Sequence, residues 1–208
     1  MEVVQQRTTE IQSAIEEGGY EADEVINPDE TGVLYGAPPK LQYIPVTANR
    51  AMAPASDDKA RFTSLLAGDT SGKMLPSFNI VKMNVKGVNL SSSRVLDNLM
   101  KVSGLRVEDG WEKQVWRRTL TLPHKGKKEL VTAEHVRPYL IHTDGTIITV
   151  QAKAWMDSAG ICMWAYVLLG PMYRRKRGKA LVVWDNCGSH NVDAVKTVLS
   201  EWGITADN

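Results

Sequence analysis

The run Ala180-Leu181-Val182-Val183-Trp184 constrains this chain more than any other stretch. It is too short for a helix of its own and has no polar face, so it reads as a strand. A strand apolar on both faces belongs inside a sheet that is covered on both sides, the arrangement of α/β proteins. Asp185 closes the run. A carboxylate there lies at the C-terminal edge of the sheet, where open α/β folds hold their ligands. Beyond it, Val192, Val195, Val198 and Leu199 recur at helical spacing, so Val192–Glu201 reads as an amphipathic helix ended by Gly203. Ile204-Thr205-Ala206 reads as the start of a further strand.

The rest of the chain alternates in the same way. Thr9–Glu17 reads as a short helix stopped by Gly18-Gly19, and Glu24–Asn27 as a short strand. Pro28-Asp29-Glu30-Thr31-Gly32 follows as a turn or strand end, and the Pro-rich stretch from Ala37 to Asp58 as loop. Arg61–Ala67 and Leu75–Lys82 read as two strands of a hairpin around Gly68-Asp69-Thr70-Ser71-Gly72. Between residues 83 and 150 the pattern is weaker: a helix over Ser91–Val102, a strand over Trp111–Leu122, and a hairpin turn at Asp144-Gly145 before a strand over Thr146–Gln151. Ser158–Arg174 has helical length, with Asp157 or Ser158 as N-cap and a break expected at Gly170-Pro171.

Composition narrows the function. With 43% hydrophobic and 24% charged residues over 208 positions, the chain can build a core. No run of about 18 apolar residues is present, and the polar Met1–Glu10 stretch has no signal-peptide character. Two cysteines, Cys162 and Cys187, cannot make a disulfide framework, so a reducing compartment is expected. The net charge of +1 hides an asymmetry. Residues 1–30 are strongly acidic, whereas residues 82–128 are rich in lysine and arginine, and Arg174, Arg175, Lys176, Arg177 and Lys179 form a second basic group. Such blocks permit a polyanionic partner, although cations after a helix also suit its dipole.

Several familiar motifs are not met. Gly68–Lys73 has one residue too few between its glycines for a phosphate-binding loop, and Met74 stands where Ser or Thr is required. The four histidines and two cysteines show no paired zinc spacing, and no local signature supports Cys187 as a nucleophile. The informative pair is Asp29 and Asp185, each at the end of a strand-like segment. Two converging carboxylates repel unless a cation lies between them, and hard oxygen ligands select Mg²⁺ or Mn²⁺. The competing reading is that each aspartate merely caps a turn or a helix. Trp111, Trp116, Arg117 and Arg118 are candidates either for stacking on DNA or for a small local core.

Four segments, in order, carry a resemblance. Ile26-Asn27-Pro28-Asp29-Glu30-Thr31-Gly32-Val33 resembles the N-x-DETG signature of pogo-type transposases of the DDE superfamily. Gly178–His190 resembles the family's second signature, a buried strand ending in DNxxSH. Between them, Arg61–Thr63 to Pro76-Ser77 is similar to the family's second and third strands, and Ala154-Trp155-Met156-Asp157-Ser158 to a helix start of the type AWM(T/D)S.

The resemblance implies a DDE-1 ribonuclease H-like fold: a mixed α/β sheet flanked by helices, its first three strands antiparallel neighbours. Residues 1–20 would be a helical lead-in and 21–208 the domain, with an insertion at about 83–150. Asp29 and Asp185 would hold Mg²⁺ or Mn²⁺ for DNA strand cleavage and transfer, with Asn186 and His190 in support. DNA would be contacted by Arg117, Arg118, Lys125, Lys127, Lys128, Arg174, Arg175, Lys176 and Arg177. The resemblance further implies a nuclear (or cytoplasmic) location and allows a homo-oligomer. The sequence departs from the family in two respects: too few residues follow Asp185 to reach the family's third acid, and too few precede Asp29 for the family's N-terminal helix-turn-helix DNA-binding region, which is expected to be absent. The C-terminal strand and helix are therefore expected to be missing, and catalysis by this chain alone to be impaired. A non-catalytic DNA-binding module derived from a transposase, or a decaying fragment, are the alternatives.

Overall fold

A computed structural model describes residues 2–34, 61–84, 89–123, 129–174, 179–185 and 187–207. Helix α1 (Glu2–Gly18) ends at Gly19, whose positive φ of 58° closes the last turn as glycine allows. Then follow β1 (Val25–Leu34), β2 (Arg61–Asp69), β3 (Phe78–Lys82) and α2 (Ser93–Ser103). The middle of the chain gives β4 (Trp111–Pro123), β5 (Leu130–His142) and β6 (Ile147–Gln151). A long helical segment runs from α3 (Ser158–Trp164) through a π-type stretch (Ala165–Leu169) into α4 (Gly170–Arg174). The chain then forms β7 (Ala180–Val183), α5 (Asp193–Ser200) and β8 (Ile204–Asp207).

All eight strands belong to one sheet, in the order β4-β5-β6-β3-β2-β1-β7-β8. Strands β1, β2 and β3 are antiparallel neighbours, while β7 lies parallel to β1, and β8 parallel to β7. This half of the sheet has the strand order of a ribonuclease H-like fold. The strand expected to be missing is present: Ile204–Asp207 pairs with Ala180–Val183 along the sheet edge, because a β-branched start after Gly203 suffices to extend the parallel ladder. Residues 93–151 do not form a separate layer. β6 pairs parallel with β3, and β5 and β4 continue the same sheet outward.

The strand alternation sorts the core into two faces. Phe78, Ile80 and Ile147 face the buried helical segment and α5, with Trp164, Leu169, Val195 and Leu199. Val81, Val150 and Leu140 face the other way, against Leu96, Leu99 and Met100 of α2. β7 is buried as its composition requires.

Three expectations need correction. β1 does not stop at Pro28 but continues to Leu34, because β2 pairs with it along its whole length. The first helix starts earlier than Thr9. The helix does not break at Gly170-Pro171. Pro171 has no N–H to donate, and the widened π turn just before it absorbs the lost bond. Gly170 is needed there for space: a Cβ would lie 2.3 Å from the ring of Trp202. Finally, the Gly68–Lys73 loop is a tight turn in which Asp69 Oδ1 accepts the backbone N–H groups of Ser71 and Lys73. That leaves no phosphate cradle.

Candidate active site

β1 and β7 run side by side only as far as the pair Ile26 and Val182. Two residues later β1 reaches Pro28, which cannot donate a ladder bond. In its place the side-chain Nδ2 of Asn27 donates to the carbonyl of Val183 at 2.8 Å. The strands part there, at the C-terminal end of β7, on the side where chain direction switches between β2 and β7. Counted from that last β1–β7 pair, Asp29 and Asp185 each lie three residues farther along, Asp29 inside β1 where it pairs with Leu66 of β2, and Asp185 beyond the end of β7.

The two acids have different surroundings. Asp29 is exposed, and its Oδ1 accepts the backbone N–H of Glu30 at 2.8 Å. Asp185 is 68% exposed, and its Oδ1 accepts the N–H of Cys187 at 3.2 Å. Its closest partner is His190, whose Nδ1 lies 2.7 Å from the same oxygen. The other ring nitrogen, Nε2, lies 3.0 Å from Oε1 of Glu30. The imidazole, only 2% exposed, also lies flat on Trp184, with ring centroids 4.5 Å apart.

His190 is therefore held between two carboxylates. Burial pulls its pKa down, but the hydrogen bond and charge of Glu30, and then Asp185, outweigh it and raise it to about 9. At neutral pH both ring nitrogens carry protons and donate. The cation that two converging carboxylates require is here supplied by the protein itself. The acid joined to Asp185 through it is Glu30; Asp29, the next residue along the strand, projects from the opposite face of β1.

Asp185, Cys187 and His190 bring their ligand atoms within 4.8 Å of one another. The sequence does contain a signal for this group: one short turn, with Cys187 and His190 three positions apart just after Asp185. It lacks the second ligand pair that zinc patterns require. Both ring nitrogens of His190 are engaged by carboxylates, and the Asp185 carboxylate and the exposed Cys187 thiol are the other donors of the group. Asp29 and Asp185 are exposed oxygen donors of the kind that suits Mg²⁺ or Mn²⁺.

The basic residues are arranged differently from their appearance in the sequence. Arg117 lies 3.8 Å from Glu134, Lys113 2.5 Å from Asp97, and Arg118 is paired with Glu201 and packs over Tyr166. Arg174 is exposed beside the ring of Trp202. Asn186, Lys125, Lys127, Lys128, Arg175, Lys176 and Arg177 lie outside the described residues. Trp116 is a core residue and Trp111 packs against His142, which is the local-core reading of these aromatics. No helix among the described residues is long and apolar enough to cross a membrane.

No family model matches the sequence, and no curated protein matches it. Among solved structures the chain is similar to a pre-cleavage Mos1 transpososome, with 11% identity and a TM-score of 0.44, over 94% of this chain and 39% of that one. It is also similar to a Mos1 mariner paired-end complex with Mn, with 10% identity and a TM-score of 0.42, over 96% of this chain and 40% of that one. The chain thus spans about two fifths of the length of these structures. The ribonuclease H-like assignment rests on its own strand order and register.

Proposed function

We propose that this chain is part of the catalytic core of a DDE-type transposase, and that Asp29 and Asp185 hold a divalent ion, Mg²⁺ or Mn²⁺, against a DNA phosphodiester. The observation that supports the reading is the parting of β1 and β7 after Ile26 and Val182, three residues before each of the two acids. A bound ion there would stabilise the attacking and leaving oxygens of an in-line displacement. The chain's own residues do the positioning. Glu30 holds His190, His190 holds one oxygen of Asp185, and Trp184 fixes the plane of the imidazole. Outer partners of this kind orient a carboxylate toward its ion. DNA is the partner in this reading and the nucleus its place of action.

The test is Mn²⁺ binding by calorimetry, together with DNA association, on the wild-type chain and on Asp29→Asn and Asp185→Asn. Each substitution is expected to weaken Mn²⁺ binding about tenfold or more. Unchanged Mn²⁺ affinity in both variants would remove the two aspartates from the ion site and sink the reading.

A further inference from the structure

The segment Gln151–Asp157 has a feature that the ion site does not use. Ala154 is fully buried at a positive φ of 54°, the only such non-glycine among the described residues. A side chain in the left-handed region is strained, and such strain collects at ligand-binding positions. Three bonds hold it. Thr63 Oγ1 donates to the Ala154 carbonyl at 2.6 Å, Ala154 N–H donates to the Gln151 carbonyl at 3.1 Å, and the Gln151 side chain accepts the N–H of Lys153 at 2.6 Å. The turn is then locked into the next helix, where Asp157 caps Gly160 at 2.8 Å and is itself gripped by Arg137.

The result of this construction is the placement of Trp155. Its side chain is turned out to solvent and the residue is 58% exposed, although a tryptophan is the most costly apolar side chain to leave in water. The guanidinium of Arg61 lies 5.1 Å from the ring centroid. Unlike Arg117 and Arg118, Arg61 makes no ion pair among the described residues. Trp155 and Arg61 line a cleft of about 270 Å³ together with Glu30, Cys187 and Ser189. Its walls are therefore the strand that carries Glu30 and the turn that carries Asp185 and His190.

We infer that Trp155 and Arg61 form a stacking subsite for an unpaired nucleobase of the DNA held at the acid site. An indole face accepts any base, and a flanking cation attracts the adjoining phosphate. A base in a duplex has both faces covered, so the subsite takes a single-stranded or extruded nucleotide. This inference rests on the transposase-core reading, because that reading supplies the DNA.

The experiment is fluorescence anisotropy of the full chain with a labelled single-stranded oligonucleotide and with a duplex of equal length. Trp155→Ala is expected to weaken single-strand binding about tenfold, and Trp155→Phe to restore most of it, with duplex binding unchanged in both. An abasic residue in the oligonucleotide should cost the wild type a similar factor and Trp155→Ala nothing, a comparison that needs no assumption about how the variant folds. Equal single-strand affinity in wild type and Trp155→Ala, or equal losses on single strand and duplex, overturns the subsite while leaving the core reading intact. Failure of the wild type to bind either DNA overturns both.

Discussion

The Nε2 of His190 lies 3.0 Å from Oε1 of Glu30, a residue 160 positions earlier in the chain. This contact ties the turn after β7 to the middle of β1, across the point where the two strands part. Removing the imidazole leaves Glu30 without its cation and Trp184 without its stacking partner. His190→Ala should destabilise the fold by about 3 kcal/mol, since breaking a largely buried charge pair costs about that much. For a chain of this size the melting temperature should fall by roughly 6–12 °C. An unchanged melting curve would show that the bridge contributes nothing to stability.

The same residue sets a pH dependence. The pKa of His190 is raised in the folded state, from an ordinary 6.5 to about 9. Its contribution to stability is therefore complete below pH 6.5 and is lost as pH rises through about 9. The amplitude is at most about 3 kcal/mol and less in practice, because the exposed Asp185 is screened by solvent. Urea denaturation of wild type and His190→Asn at pH 6 and pH 10 measures it. The gap between the two proteins should narrow at the higher pH, and a gap that widened would reverse the assignment.

Asp157 has two roles that a pair of substitutions separates. It caps α3 and pairs with Arg137, whose side chain is 10% exposed and whose Nη1 is buried without a hydrogen-bond partner among the described residues. Asp157→Ala deprives the buried guanidinium of its carboxylate and the helix of its cap, at a cost of about 4 kcal/mol. Arg137→Met removes the buried charge itself and should cost less, about 1–2 kcal/mol. Chemical denaturation that ranked the two the other way would contradict this account.

Gly170→Ala tests the packing of the C-terminal helix on the long helical segment. The added methyl would meet the ring of Trp202, which also makes an edge-on contact with Tyr166 at 5.5 Å between centroids. The ring must move, at a cost of about 1–3 kcal/mol. Lower stability accompanied by a shift in tryptophan emission is the expected result. A full-strength melting transition would mean that the ring has room to yield.

Much of this protein is legible in its sequence, because the features concerned are local. The apolar run Ala180–Trp184 becomes a buried strand because nothing in it can face water, and Asp157 caps a helix because its side chain reaches Gly160 three residues on. The hairpin turns at Gly68–Gly72 and Asp144-Gly145 are equally local. Asp29 and Asp185 stand out through the signatures around them, although Asp29 lies inside β1 rather than at its end. What the tertiary structure decided depends on partners far apart in the chain. Pro28 reads as a strand end, yet β2 carries β1 past it by pairing on the other side. Ile204-Thr205-Ala206 reads only as the start of a further strand, yet β7 supplies the ladder that carries it to Asp207. Arg117 and Arg118 read as part of a free basic block, yet Glu134 and Glu201 neutralise them across strand and helix. The choice of Glu30 as the acid joined to Asp185 through His190 is of the same kind. Spacing cannot reveal it, because it depends on which face of β1 meets a turn 160 residues away.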